Sequence, residues 1–279
     1  MMRTYCIYRK YLAMSMKTLF LSEIKTELLK HPVEKPVIFT EADIAHLPAP
    51  VQNYIRTCGY LGKNKMTNVR VHWSEAYLKR GHGKDWMKLE CYQFNSVPEP
   101  VRIVYMKGRA AGLITMEARD KCQGGHGNML INVLGLFTVV DAKGEHMDDS
   151  ALVTTLAEFT IAPSYALQPY ITWRSIDSMT AGATLEFNNR KVSGIFHFNE
   201  AGECTRFDTD SRWQFGEDAS PIKWSAICGN YKEKNGIKFP TSFSAVWHEE
   251  KGDFEYFKGT ISGLEFNVRE YVGIRHSRF

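Results

Sequence analysis

The sequence predicts a mainly β (α+β) fold: a long-stranded antiparallel meander curled into a half-barrel or barrel, with a few short helices and a helical N-terminal region. Three observations carry this. From about Asn68 onward, apolar residues recur at every second position rather than at helical spacing. The runs are joined by turn chemistry, with Asn235-Gly236 the strongest hairpin signal because both residues accept φ > 0. Aromatic residues reach 13% (16 Phe, 13 Tyr, 6 Trp), which suits wide, half-buried pleated faces.

Taken in order, residues 1–39 read as a helical, partly flexible segment and residues 40–279 as a single β-rich domain. Arg3, Arg9 and Lys10 ahead of Tyr11 to Met16 imitate a signal peptide. Lys17 interrupts the apolar run, however, and no small-x-small cleavage site follows Leu21. The stretch reads instead as an amphipathic helix or, since Met16 could also initiate translation, in part as an over-extended start. No window of about 18 apolar residues predicts a membrane span. Thr40 with Glu41 and Asp43 forms a helix start. Pro50 then opens a helix with Val51, Tyr54, Ile55 and Cys58 on one face, closed by Gly59.

Alternation begins with Val69, Val71, Trp73 and Tyr77 on one strand face. It continues through Met87–Phe94, Val101–Tyr105 and Leu113–Thr115. Residues 121–146 are the least regular, broken by Gly124, Gly125, Gly127, Gly135 and Gly144. Asp148 or Asp149 is expected to cap a helix that carries Leu152, Leu156 and Phe159 on one side and ends at Pro163. Beyond it, Ala183–Phe187, Gly194–Phe198, Ile222–Tyr231, Ile237–Trp247 and Phe254–Phe266 read as consecutive strands. Strands of about ten residues span about 33 Å, and long hairpin-linked strands favour a barrel or half-barrel.

Composition narrows the function classes. The net charge is +4, with 35 basic and 31 acidic residues interspersed, so no basic stripe marks a nucleic-acid interface. The six cysteines are scattered without a Cys-x-x-Cys pair and read as buried free thiols. Nine histidines show no metal-ligand spacing, and neither a metal nor another cofactor is expected. Gly124-Gly125-His126-Gly127 lacks the Lys-Ser/Thr of a phosphate loop, and Ser164 lacks the flanking glycines of a nucleophile elbow. No catalytic residue is assigned.

Two constellations stand out. Arg206, Asp208, Asp210 and Arg212 sit at spacing two, which places them on one strand face, either a polar lining with paired charges or, as is more common, a solvated outer face. Glu158 lies in an otherwise apolar helix. An isolated buried carboxylate there would be a general acid or base; more commonly such a residue pairs with an arginine, with Arg174 or Arg212 as candidates, or caps nearby backbone. Asp177 reads as a turn residue. If the sheet leaves one side uncovered, Glu158, Trp173, Phe196, Phe198, Arg212, Trp224 and Trp247 are the candidate ligand-binding residues.

The stretch Leu47-Pro48-Ala49-Pro50-Val51 with Tyr54 and Ile55 resembles the opening of a bacterial family of unknown function. Further blocks are similar: Leu156-Ala157-Glu158, Pro163-Ser164, Ala166-Leu167, Trp173, Ile176 and Asp177, then Phe196, Phe198, Gly202, Phe207 and Arg212, and finally Trp224, Tyr231, Gly236, Pro240 and Trp247. The likeness covers about residues 40–268. More distantly, the β-rich region resembles the half-barrels of lipoprotein carriers of the LolA and LppX type. That resemblance implies a curved sheet around an apolar ligand, such as a 16-carbon acyl chain, with helices plugging the opening. A structural or partner-binding protein with a closed core is the alternative, as is a hydrolase or isomerase built on carboxylate or histidine groups. Free cysteines and the missing signal favour the cytoplasm, whereas the carrier resemblance favours the cell envelope. Oligomeric state is not legible.

Overall fold

The computed structural model describes residues 15–110, 112–214 and 220–271. Residues 1–14, with the Arg3, Arg9 and Lys10 cluster and Cys6, lie outside them. Four α-helices are present among the described residues: α1 (Met16–Lys30), α2 (Glu41–Ile44), α3 (Ala49–Thr57) and α4 (Glu145–Ala157). None is long and apolar enough to cross a membrane. At α2, Thr40 and Asp43 form a reciprocal capping box, and Pro50 sits in the first turn of α3, as their positions predict.

The first strand run is β1 (Asn68–Leu78), β2 (Met87–Ser96), β3 (Val101–Ala110), β4 (Ile114–Gln123), β5 (His126–Val133) and β6 (Phe137–Ala142). After α4 come β7 (Ile171–Ser175), β8 (Thr180–Phe187), β9 (Arg190–Phe198), β10 (Cys204–Gln214) and β11 (Ser220–Gly229). A small separate hairpin of β12 (Lys232–Lys234) and β13 (Ile237–Phe239) turns at Asn235-Gly236, with φ of 56° and 74°. The run ends with β14 (Ser242–Glu249) and β15 (Gly252–Phe266). All but β12 and β13 pair antiparallel in one 13-stranded sheet, ordered β6-β5-β4-β3-β2-β1-β15-β14-β11-β10-β9-β8-β7.

The sheet is curled into a half-barrel. In strand order β5 and β9 are nine places apart, about 43 Å in a flat sheet at ~4.8 Å per strand. Yet α4, only about 10 Å across, packs against β4 and β5 on one side and β8, β9 and β10 on the other. The turn after β4 also meets the turn after β8, where Asn188 Nδ2 donates to the Gly124 carbonyl at 2.9 Å. Helix α4 therefore fills the concave side. Its Leu152, Val153 and Leu156 join a core with α3, Phe159, Tyr165 and the inward residues of β8–β11. The convex side of β2 and β3 is covered by α1, through Met16, Phe20 and Ile24 against Phe94, Ile103 and Tyr105.

Several local readings change. Residues 121–146 hold two hairpins rather than an irregular segment: Gly124 and Gly125 both take positive φ in a tight turn, and Leu134 and Gly135 do the same in the next. Helix α4 begins at Glu145 with Gly144 as N-cap, four residues before the expected cap at Asp148. Asp148 instead accepts from the Gly127 amide at 2.8 Å and pairs with Arg190 at 3.3 Å. Gly127 is required there, because a Cβ would stand 2.2 Å from the Met147 carbonyl oxygen. A bulge between His72 and Ala76 turns Tyr77 to the convex face, opposite Val69 and Val71. Of the cysteines, Cys58, Cys91, Cys122 and Cys204 are buried free thiols and Cys228 is a half-buried one.

Candidate functional site

A cavity of about 220 Å³ lies between α4 and the concave face of the sheet. Its walls are mostly apolar: Trp73 and Leu78 from β1, Val104 and Met106 from β3, Phe207 from β10, Trp224 from β11, Phe243 from β14 and Phe257 from β15. Helix α4 and the 3-10 turn after it contribute Thr154, Ala157, Glu158 and Ile161. Ser150, Thr154 and Glu158, at i, i+4 and i+8, form one polar stripe along the helix. Polar groups gather around the two ends of that stripe.

At the Glu158 end, three donors converge on one carboxylate. Arg102 Nε donates to Oε1 at 2.7 Å, while Gln93 Nε2 and Asn95 Nδ2 donate to Oε2 at 2.9 and 2.6 Å. Arg102 also reaches Asp120 Oδ2 at 2.5 Å. Gln93 is fixed in turn by the Trp73 indole, which donates to its Oε1 at 3.1 Å. These side chains come from neighbouring strands because Asn95 stands opposite Arg102, and Gln93 opposite Val104, in the β2–β3 register. Burial alone would lower the pKa of Arg102, but the adjacent Glu158 and Asp120 outweigh it and carry the guanidinium above its ordinary value. Glu158 is thus paired and fixed in position. Its partner is Arg102, not Arg174 or Arg212, and with all three donors in place it is not an isolated general acid or base.

At the other end stands Arg212. Alternation would put it outward with Arg206, Asp208 and Asp210. A bulge overturns this: Thr209 pairs with Trp224 but Arg212 with Ile222, so one extra residue on β10 reverses the faces. Arg212 consequently points inward. Its Nη1 donates to the Ser150 carbonyl at 3.0 Å and to the Thr154 hydroxyl. Its guanidinium carbon lies 4.5 Å from the Trp224 ring centroid and 5.5 Å from that of Trp247. Nε is enclosed and has no hydrogen-bond partner among the described residues.

The sequence candidates divide accordingly. Glu158, Arg212 and Trp224 line the cavity. Trp247 sits behind them, stacked on Tyr256. Trp173, Phe196 and Phe198 lie instead in the core under α3, where Trp173 and Phe196 both pack on Phe159 and Phe198 meets Tyr54. Asp177 is a turn residue, accepting from the Met179 amide at 2.8 Å. Sequence reasoning missed Arg102, Asp120, Gln93 and Asn95. The readable signal was Gln93 and Asn95 continuing the inward positions of Leu89 and Cys91, a polar pair on an apolar face.

A second constellation lies on the convex side. Ser225 Oγ is 2.7 Å from His248 Nε2, and His248 Nδ1 is 2.7 Å from Asp253 Oδ1, the spacing of a nucleophilic triad. Proton bookkeeping defeats that reading. Ser225 donates its one proton to Asp208 Oδ1 at 2.6 Å, and Asp208 also faces Arg206 and His197 as an acceptor. The contact with His248 therefore runs from the ring N–H to the serine oxygen, opposite to activation. Ser225 is also buried in mid-strand, with its backbone held between β10 and β14. Among the described residues no three His, Cys, Asp or Glu side chains converge as a metal site.

Residues 37–259 match a family model described as "Family of unknown function (DUF6544)". No curated protein and no solved structure matches the chain.

Proposed function

We propose that this chain, which belongs to the family of unknown function DUF6544, binds a small apolar molecule inside its half-barrel. The observation that supports the reading is the cavity between α4 and the sheet, walled by Trp73, Phe207, Trp224, Phe243 and Phe257. Apolar pockets with a few placed polar groups are the usual form of small-molecule sites. Its size limits the ligand. At about 220 Å³ it is below the roughly 300–1,000 Å³ of sites for drug-sized molecules. A cavity of about 150 Å³ holds benzene, so by proportion this one takes roughly nine heavy atoms. A 16-carbon chain exceeds that, and the ligand class narrows to short or medium chains and single rings. Eight buried methylenes would contribute about 6 kcal/mol before ordering costs.

Native mass spectrometry of the purified protein, followed by solvent extraction, tests this. A bound species of about this size, or saturable binding of medium-chain amphiphiles added to the bare protein, is the expected result. A protein at its bare mass that binds none of a panel of medium-chain and monocyclic compounds would overturn it and leave a closed structural core.

A further inference from the structure

We infer that the ligand carries a carboxylate, and that Arg212 is the group that binds it; this rests on the cavity-binding reading above. The two arginines in the cavity wall differ in a way that points to a missing partner. Arg102 is satisfied by two carboxylates, Glu158 and Asp120. Arg212, half-buried, has none within ion-pair distance among the described residues, although a charge set largely in an apolar wall is stabilised by a counter-charge or further hydrogen-bond acceptors.

The geometry of Arg212 is that of a held fork. Nη1 is occupied by the Ser150 carbonyl and the Thr154 hydroxyl, and the guanidinium plane is fixed between Trp224 and α4. On its remaining edge, Nη2 makes none of the hydrogen bonds found among the described residues, and Nε is enclosed without a partner there, so a carboxylate engages Nη2 first and Nε as the wall beside it yields. Two parallel N–H donors on that edge match the two oxygens of a carboxylate. The Glu158 end offers no comparable vacancy for a cation, because Arg102, Gln93 and Asn95 already take its carboxylate. With apolar walls between, the ligand class is a monocarboxylate of roughly nine heavy atoms with its carboxylate counted, so an apolar body of about six or seven carbons, from the volume comparison above.

Three probes of equal chain length separate the possibilities: octanoate, 1-octanol and octylammonium, titrated by calorimetry into the wild-type protein and Arg212→Met. Octanoate should bind wild type at least tenfold more tightly than octanol or octylammonium. R212M, which keeps the apolar stem, should lose that tenfold while its octanol affinity stays within about threefold. Equal binding of octanoate and octanol by the wild type would overturn the role of Arg212 without touching the cavity reading, and needs no variant to fold. Tighter binding of octylammonium would overturn it in favour of the Glu158 end. Failure of all three probes would overturn the carboxylate assignment, and the wider panel of medium-chain and monocyclic compounds then decides the cavity reading separately.

Discussion

Replacing Glu158 by glutamine keeps the side-chain volume and removes the charge on which Arg102, Gln93 and Asn95 converge. A glutamine has one acceptor oxygen and one NH2 group. If its oxygen faces the two amides, its NH2 opposes the Arg102 Nε–H; if its oxygen faces Arg102, both amides lose their acceptor. Hydrogen bonds to charged groups contribute about 1.5–3 kcal/mol, and removing one member of a buried ion pair costs about 3–5 kcal/mol. Glu158 and Arg102 side chains are only 12% and 14% exposed, so little solvent relief is available. Arg102 retains Asp120 at 2.5 Å, which places E158Q toward the lower end, at about 2–4 kcal/mol of lost stability. For a chain of this size that corresponds to roughly 4–16 °C in Tm. Urea unfolding followed by tryptophan fluorescence, with an unchanged m-value, measures it. A variant within about 0.5 kcal/mol of wild type would refute the pairing and restore Glu158 as a candidate acid or base.

Two further outcomes are expected. The Asp43 carboxyl, held chiefly by Lys65 and also by Thr40, is lowered from its ordinary 3.8 to about 2. A carboxylate depressed in the folded state stabilises fully above its unfolded pKa and loses that contribution as pH falls through the folded one. The difference is roughly 2.5 kcal/mol unscreened, and with a quarter of the side chain in water about 1 kcal/mol survives. D43N should therefore be about 1 kcal/mol less stable at pH 7, with the gap closing between about pH 4 and pH 2; a gap that persists below pH 2 would contradict the assignment. Burial pushes the thiols of Cys58, Cys91 and Cys122 up to about 12. Iodoacetamide at pH 8 should leave these three unmodified in native protein and alkylate them in urea, as read by peptide mass spectrometry; rapid native labelling of Cys122 would show that the core opens under α4.

The β architecture was legible because its signals are local. Alternation, Asn235-Gly236 and the long runs each depend on a few adjacent residues, and the capping box at Thr40 does too. Gly124-Gly125 was an equally local hairpin signal that the surrounding glycines obscured. The site was harder to read for two physical reasons. Arg102 and Glu158 are 56 residues apart in sequence, and only the strand order brings them together. At Arg212, one bulged residue reverses the strand faces, and Thr209-Asp210-Ser211 is polar throughout, so no apolar alternation marks the slip. The pairing of an acid in an apolar helix was predictable in kind, though its partner was not.

The place of β15 in the sheet has a consequence for how the molecule is made. This strand sits between β1 and β14 and joins the run β1–β6 to the run β7–β14. Both runs can assemble from neighbours in sequence, but the seam between them waits until residues 252–266 have left the ribosome, when β1 pairs with a partner almost 200 residues away. Such long-range closure is slow, and until it occurs the inner edge strands β1 and β14 stay open to wrong partners. On this route a truncated or stalled chain lacking β15 presents two sticky half-sheets tethered by α4, a natural substrate for chaperones and a source of intermolecular strand exchange.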